Sequence, residues 1–244
     1  MASDLELDHT REAIRLRFAR GHRVNYLRDF IYGAIDGAVT TFAIVAGVAG
    51  ARLPAVVVLL LGSANLVADG FAMAASNYSG TKAERDDYKR VIDVEHRHIE
   101  LVPDGEREEI RQIFAAKGFV GGDLERIVDL ISGDPMLWAK TMAVEEYGLA
   151  PTQRSPALAA LGTFVAFMLC GIVPLVSYLA AGGFATCVAA TSATFFCVGA
   201  IKSRWSPSPW WQSGLETLLV GMSAAAIAFA IGYGLRVVFN IAPT

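Results

Sequence analysis

The chain has 244 residues, of which 54% are hydrophobic and only 18% are charged, and its formal net charge is -3. The mean hydropathy is +0.42, and the charged residues lie in blocks, which excludes an ordinary soluble domain. The near-neutral charge also argues against a nucleic-acid partner. We therefore expect an integral membrane protein embedded in a lipid bilayer.

Five apolar stretches are long enough to span a bilayer, which requires about 20 mostly apolar residues. They are Phe30 to Ala51, Ala55 to Tyr78, Ala157 to Ala181, Phe184 to Ile201 and Gly214 to Leu235. The residues before Asp29 lack the apolar segment of a cleavable signal peptide, so the first span is expected to act as the targeting signal. The expected fold class is an all-α membrane protein with five transmembrane helices.

The first span carries an acidic residue, Asp36, inside a Gly-rich apolar stretch. A charged side chain at membrane depth costs roughly 2.5–3.5 kcal/mol on insertion scales, so it persists mainly where it lines a polar path or meets a cation. Gly33 and Gly37 form a pair of small residues four apart, a spacing that permits close approach of another helix. The first span is therefore predicted to form one wall of an ion path.

The second span carries polar side chains at every fourth residue. They are Asn65, Asp69, Met73 and Asn77. Residues four apart lie on one face of a helix, so oxygen and sulfur ligands line one stripe of an otherwise apolar helix. Helix packing explains a single Asn, but four consecutive positions favour a cation path shared with the first span, within one protomer or between two.

The polar stretch from about Thr81 to Arg154 is too long for a passive connector. Its sequence predicts a continuation of the second span to about Glu100 and a helix that opens near Asp104, its expected N-cap, and runs to about Lys117. A short helix from Leu124 to Ile131 follows, and a further helix begins at Pro135 after the expected N-cap Asp134 and ends near Gly148. The expected divisions of the chain are an N-terminal segment (1–28), two spans (29–80), a helical domain (81–154) and three spans (155–244).

Each main helix of this domain carries two metal-ligand residues at a spacing that places them on one face. The pairs are Glu95 with His98, Glu106 with Glu109, and Met142 with Glu146. Carboxylate oxygen with imidazole suits Fe²⁺, Mn²⁺, Zn²⁺ or Co²⁺, and a thioether disfavours Mg²⁺ and Ca²⁺. Acidic helices can also simply be solvated, so the spacing alone leaves both interpretations open.

Positive charge indicates the orientation in the membrane. Arg20, Arg23, Arg28, Lys202 and Arg204 fall on one side of five spans, and only Arg52 and Arg236 fall on the other among the short segments. This asymmetry predicts a cytoplasmic N-terminus and a cytoplasmic helical domain. Trp205, Trp210 and Trp211 are expected to form an interfacial belt. Glu216 is expected to cap its helix or to pair with Lys202 or Arg204.

Four motifs resemble one known family. They are RDFIYGAIDGAVTTFAIVAGVAGA in the first span, ANLVADGFAMAASNYSGTKAE in and after the second, VPD at Val102 to Asp104, and GIVPLVSY in the third. From about Tyr26 to the last span the chain is similar to the vacuolar iron transporters of plants and fungi and their bacterial relatives. The resemblance implies five spans, a cytoplasmic metal-binding domain between the second and third, and a homodimer that exchanges Fe²⁺ for protons.

The resemblance also implies roles for individual residues. Asp36 and Met73 match the positions that meet the metal in the membrane. Glu95, His98, Glu106, Glu109, Met142 and Glu146 match the cytoplasmic ligand positions, the same set that helical spacing indicates. Three positions depart from the plant pattern, which has Glu at Asn65, Glu at His98 and a second Met at Ala143. Asp69 is expected to supply the carboxylate that Asn65 lacks.

The expected function is therefore transport of a divalent metal, Fe²⁺ or also Mn²⁺, from the cytoplasm in exchange for protons, with no organic cofactor and no enzymatic activity. The Ala-rich composition indicates a bacterial inner membrane. The main alternative is a membrane-anchored metal sensor or buffer without transport. A membrane di-iron enzyme is a second alternative, because Glu95 and His98 form half of a di-iron signature. The one other Glu-x-x-His of the sequence, Glu6 to His9, lies in the N-terminal segment and not in the predicted helical domain.

Overall fold

The computed structural model describes residues 8–19, 24–151, 154–180 and 183–240. Over these residues the chain is all-helical, and the described part contains no strand. Three residues used above, Arg20, Arg23 and Ala181, lie outside the described ranges.

From residue 27 onward the helices of the described residues follow the predicted order, and one further helix, not predicted, precedes them. They are α1 (Arg11–Ala19), α2 (Leu27–Ala51), α3 (Ala55–Leu101), α4 (Pro103–Ala116), α5 (Gly121–Ser132), α6 (Pro135–Glu145), α7 (Pro156–Ala180), α8 (Phe184–Lys202) and α9 (Trp210–Val238), with a 3₁₀ turn at Ser203–Trp205. Five of them, α2, α3, α7, α8 and α9, are long and apolar enough to cross a membrane. This confirms the prediction of five spans.

The second span and the first helix of the polar stretch form one continuous helix, α3, of 47 residues. At a rise of about 1.5 Å per residue it is about 70 Å long, more than twice the roughly 30 Å of a bilayer core. Its polar end therefore projects out of the membrane together with α4, α5 and α6. We call the segment made of Thr81–Leu101 of α3, α4, α5 and α6 the helical insert. The membrane face from which it projects is called the insert side.

The first span, α2, lies at the centre of the membrane helices, where it packs mainly against α7 and α9. A Cβ atom added to Gly33 would lie 2.2 Å from the carbonyl oxygen of Thr163, and one added to Gly37 would lie 2.3 Å from that of Phe167. The glycine pair therefore permits contact between the backbones of α2 and α7. Its close partner is the third span rather than the second.

The helical insert has its own small apolar core, formed by Ile110, Val128, Trp138 and Met142. Asp134 caps α6 as predicted, because its Oδ1 accepts hydrogen bonds from the backbone N–H groups of Met136 at 2.9 Å and Leu137 at 3.2 Å. The predicted N-cap at Asp104 is wrong. Helix α4 begins one residue earlier, at Pro103, which suits the first helical position because its missing N–H would be unsatisfied there anyway.

Candidate metal sites in the membrane and in the helical insert

The polar stripe of α3 lies along the boundary between a packed and an exposed face. Its members, Asn65, Asp69, Met73 and Asn77, are all half-buried. On one side of the stripe lie buried residues such as Leu66, Gly70 and Ala74, and on the other lie exposed alanines. The four predicted residues therefore share one edge of the helix, as their spacing indicated, and remain accessible from outside the protomer.

The two membrane acids lie close together. Asp36 of α2 is half-buried, and its carboxyl group interacts electrostatically with that of Asp69 on α3. Two carboxylates in a medium of low dielectric repel each other unless a proton or a cation lies between them. Nearby, Asn65 Nδ2 and Thr41 Oγ1 are buried without a hydrogen-bond partner among the described residues. This region of the bundle therefore combines two interacting carboxyl groups with polar atoms that have no partner among the described residues.

A cavity of about 300 Å³ adjoins Met73 on the insert side of these acids. Its walls include Asp29, Ser76, Asn77, Glu84 and Arg154. The cavity thus connects the Met73 end of the stripe with the part of α3 that enters the insert. Its wall combines a thioether and carboxylate, amide and hydroxyl oxygen atoms with the guanidinium groups of Arg28 and Arg154.

Asp29 is the centre of a buried hydrogen-bond network at the wall of this cavity, and only 3% of its surface is exposed. Arg154 donates to both of its carboxylate oxygens, at 2.5 and 2.6 Å, and Asn77 Nδ2 donates to its Oδ1 at 3.0 Å. Asn77 Nδ2 also donates to Thr163 Oγ1 at 2.6 Å. The network fixes the beginnings of α2 and α7 against α3. Sequence analysis assigned no role to Asp29 or Arg154.

Three of the predicted ligands of the insert converge on one point. One ligand atom from each of Glu95, His98 and Glu106 lies within 4.8 Å of the others. His98 Nδ1 is 3.3 Å from Glu106 Oε1 and 3.9 Å from Glu95 Oε1. Glu95 and Glu106 are buried, at 0% and 4% exposed, whereas His98 is exposed. Helices α3 and α4 therefore bring two buried carboxylates and an accessible imidazole together.

The buried carboxylates of this cluster lack sufficient neutralising partners. Glu95 Oε2 and Glu106 Oε2 have no hydrogen-bond partner among the described residues. Burial, followed by the nearby charges of Glu109 and Glu95, raises the pKa of Glu106 to about 7. Burial, with the charges of Glu109 and Glu95, also raises the pKa of Glu146. Five predicted ligands thus lie in one electrostatic neighbourhood, and a divalent cation would relieve their mutual repulsion.

The remaining predicted ligand, Met142, has different surroundings. It is fully buried among Ile110, Val128 and Trp138 in the apolar core of the insert. Glu146 follows one turn later at the end of α6, where its backbone N–H donates to the Met142 carbonyl at 2.9 Å. Met142 therefore holds α6 against the core at the level of the cluster.

Tyr147 is a residue of the cluster that sequence analysis missed. Its hydroxyl donates a hydrogen bond to Glu95 Oε1 at 3.1 Å. Burial and this contact raise the pKa of Tyr147 to about 12, so the phenol remains a donor at neutral pH. In the sequence, the only indication of this role was that Tyr147 directly follows Glu146. A single tyrosine forms no pair of ligand residues at helical spacing, so no pattern marks it.

Comparison with known proteins identifies the family of this chain. The family model described as the VIT family matches residues 27–233. The chain is 32% identical over 210 residues to vacuolar iron transporter 2 of Oryza sativa subsp. japonica, covering 84% of this chain and 85% of the relative. It is 31% identical over 230 residues to vacuolar iron transporter 1 of Arabidopsis thaliana, covering 92% and 90%. The vacuolar iron transporter of Toxoplasma gondii is 30% identical over 228 residues, covering 88% and 76%. The chain belongs to the VIT family.

Proposed function

We propose that this protein transports Fe²⁺ across the membrane, from the cytoplasm outward, in exchange for protons. The single observation that carries the proposal is the electrostatic interaction between two membrane acids, Asp36 and Asp69, with Met73 one helical turn after Asp69 on α3. The relatives are named iron transporters, and the ligand chemistry also suits Mn²⁺ as a second substrate.

The helical insert collects the metal in this proposal. Glu95, His98 and Glu106 supply two carboxylates and an imidazole, a set that suits Fe²⁺ and other transition metals of similar hardness. Glu109 and Glu146 add negative charge that attracts the cation, and Tyr147 orients Glu95. His98 stands on the exposed side of the cluster, where it is the first group that an arriving ion meets.

The membrane step uses Asp36, Asp69 and Met73, with Asn65 as a neutral neighbour on the same stripe. A carboxylate binds either a proton or a divalent cation, because both compete for the same oxygen atoms. Protons that arrive from the far side therefore displace the metal, and the metal that arrives from the cytoplasm displaces protons. This competition couples the two fluxes.

A homodimer completes the path in this proposal. Ala64, Ala68 and Ala72 are exposed at four-residue spacing, directly beside the polar stripe of α3. Small residues at this spacing permit close packing of two membrane helices. A second copy of α3 packed on these alanines would enclose the stripe, which is open to the outside in a single protomer.

The proposed location is a bacterial inner membrane with the N-terminus and the insert in the cytoplasm. Arg28, Lys202 and Arg204 lie on the insert side, and this excess of positive charge supports the orientation. Labelling of single cysteines from either side of sealed vesicles would test it. Asp123 is exposed in the helical insert, and labelling of an Asp123→Cys variant from the side that corresponds to the cell exterior would contradict this orientation.

Metal uptake by proteoliposomes under an imposed pH gradient tests the function. The Asp36→Asn variant keeps the shape of the side chain but loses its charge, so we expect transport to fall by at least about 100-fold, equivalent to about 2.7 kcal/mol. The control is Asp123→Asn, an exposed acid at the start of α5, which should transport normally. Full transport by the Asp36→Asn variant would refute the proposed path.

The same experiment decides between the transporter and a sensor or buffer. A sensor would bind metal at the insert but would show no flux in any variant. The enzyme alternative predicts oxygen consumption that depends on bound iron. Its absence in a protein that transports iron would leave the transporter as the function.

A further inference from the structure

A second cavity lies beside the beginning of α2, at the end of α8. It has a volume of about 380 Å³ and is lined mainly by apolar surface, with Leu27, Ile31 and Trp205 among its walls. Two cationic residues, Arg28 and Lys202, also line it. We call this cavity the α2–α8 cleft. It lies outside the metal path, because it contains none of the proposed metal ligands.

The cleft lies at the membrane boundary on the insert side. The first span begins there at Leu27, and the fourth span ends there at Lys202. Trp205 is 57% exposed at the mouth of the cleft, and Trp210 and Trp211 follow at 60% and 46% exposed. Exposed tryptophans at the ends of spans are typical of the level of lipid headgroups. The cleft thus opens where headgroups and acyl chains meet.

The two cations of the cleft are available to an anion. Lys202 Nζ is 3.3 Å from Glu216 Oε2, but the Glu216 side chain is 67% exposed, and such surface pairs exchange readily. Arg28 donates from Nε to the hydroxyl of Tyr32 at 3.3 Å and lies over its ring. Its acidic neighbour Asp29 is already bound by Arg154. Glu84, the other acid near Arg28, belongs to the wall of the first cavity.

We propose that the α2–α8 cleft binds an anionic phospholipid. Its phosphate group lies between Arg28 and Lys202, and one acyl chain lies against Leu27, Ile31 and Trp205. Basic pockets between membrane helices on the cytoplasmic side are suited to anionic headgroups, and the apolar wall excludes a small hydrated anion as the main occupant, since such an ion would leave that wall exposed to water.

The site places a lipid in contact with the helix that carries Asp36. Arg28 and Tyr32 line both the cleft and the cavity next to Met73. Tyr32 precedes Asp36 by one helical turn. A lipid bound in the cleft therefore restrains Arg28 and Tyr32, which lie between the cleft and the proposed metal path. This restraint does not depend on metal transport.

Native mass spectrometry of the full-length protein tests the site. The purified protein is mixed with phosphatidylglycerol and phosphatidylcholine of matched chains, and the retained copies of each lipid are compared. We expect phosphatidylglycerol to be preferred. Arg28→Gln and Lys202→Gln should each weaken its binding by about 5-fold, and the double variant by about 30-fold. Each basic residue near an anionic membrane surface contributes about 5-fold to the affinity, and the two contributions multiply.

The matched control is Arg204→Gln, which removes an exposed charge from the same membrane face outside the cleft and should leave the preference unchanged. A thermal melt checks that each variant is folded. Should the double variant not fold, the preference of the wild-type protein should still fall sharply at high salt, which screens the headgroup charge.

Three results would overturn the proposal. Equal retention of both lipids by the wild-type protein would remove the selectivity. A loss in Arg204→Gln as large as that in Arg28→Gln would assign the effect to general surface charge. Displacement of phosphatidylglycerol by an excess of inorganic phosphate would show that the site recognises a free anion instead of a lipid.

Discussion

Arg154 donates two hydrogen bonds to the carboxylate of Asp29, although the residues are 125 positions apart in the chain. Arg154 lies between the helical insert and α7, and Asp29 lies in the first turn of α2. This ion pair therefore connects the exit of the insert to the beginning of the first span.

Loss of this ion pair should destabilise the protein strongly. The Asp29 side chain is 4% exposed and that of Arg154 is 25% exposed, so Arg154→Gln leaves a buried carboxylate without its main partner. We expect a loss of about 3 kcal/mol in the free energy of unfolding, measured by thermal or denaturant unfolding in detergent. The control is Asp129→Asn, which breaks an exposed pair with Arg107 and should not shift the transition. Equal stability of both variants would contradict the structural role of Asp29.

Removal of the Tyr147 hydroxyl should weaken metal binding by the insert. The phenol donates to Glu95, and such hydrogen bonds to a metal ligand typically contribute 10–100-fold in affinity. We expect Tyr147→Phe to raise the dissociation constant for Fe²⁺ by about 10-fold in anaerobic calorimetry of the full chain. Tyr88→Phe is the matched control, because the buried Tyr88 hydroxyl has no hydrogen-bond partner among the described residues. Similar effects of both variants would remove Tyr147 from the site.

The metal-free insert should lose stability as the pH rises. Burial raises the pKa of Glu106 from 4.5 to about 7, so the folded protein holds this proton more tightly than the unfolded chain. The resulting stabilisation is complete below about pH 4.5 and is lost as the pH rises to about 7. We expect Glu106→Gln, which cannot ionise, to show a smaller decline across this range in melts with a chelator present. An identical decline in Glu106→Gln and the wild type would refute the assignment.

The contact between α2 and α7 should not tolerate a methyl group. A Cβ atom at position 37 would lie 2.3 Å from the Phe167 carbonyl oxygen, closer than any real contact. We expect Gly37→Ala to cost about 1–3 kcal/mol or to displace α7. Gly162→Ala on α7 is the control, because a Cβ atom there meets nothing within 4 Å and should be neutral or slightly stabilising. The free energy of unfolding of both variants measures the difference.

The membrane helices could be predicted from the sequence because length and apolar composition are local properties. The structure confirms five spans, and only their ends differ. The last span begins at Trp210, four residues before the predicted Gly214. The interfacial tryptophans continue the helix there, although they are less apolar than the span that follows. An apolar window detects the interior of a span and not its first turn.

The ligand sets were predictable where helical spacing defines a face. Glu95, His98 and Glu106 come together in the structure, and their role in binding metal stays a prediction. Asp29, Arg154 and Tyr147 were not predictable, because their partners are distant in the chain and an acid or arginine at the end of a span looks like an ordinary flank. The helix that packs against Gly33 and Gly37 was not predictable either, because the spacing of two glycines does not specify which helix will contact them.

In the proposed function, the uninterrupted helix α3 sets the distance that a metal ion covers between the helical insert and the membrane. Glu95 and Met73 are 22 positions apart on it, which corresponds to about 33 Å along the axis. That separation is about four times the screening length of about 8 Å in physiological salt, so salt solution screens most of the field that the exposed acids of the insert would exert at the thioether. Metal capture by the insert and metal passage through the membrane are therefore separate steps of the proposed function, and a variant without the acids of the insert should still transport metal when the metal is abundant.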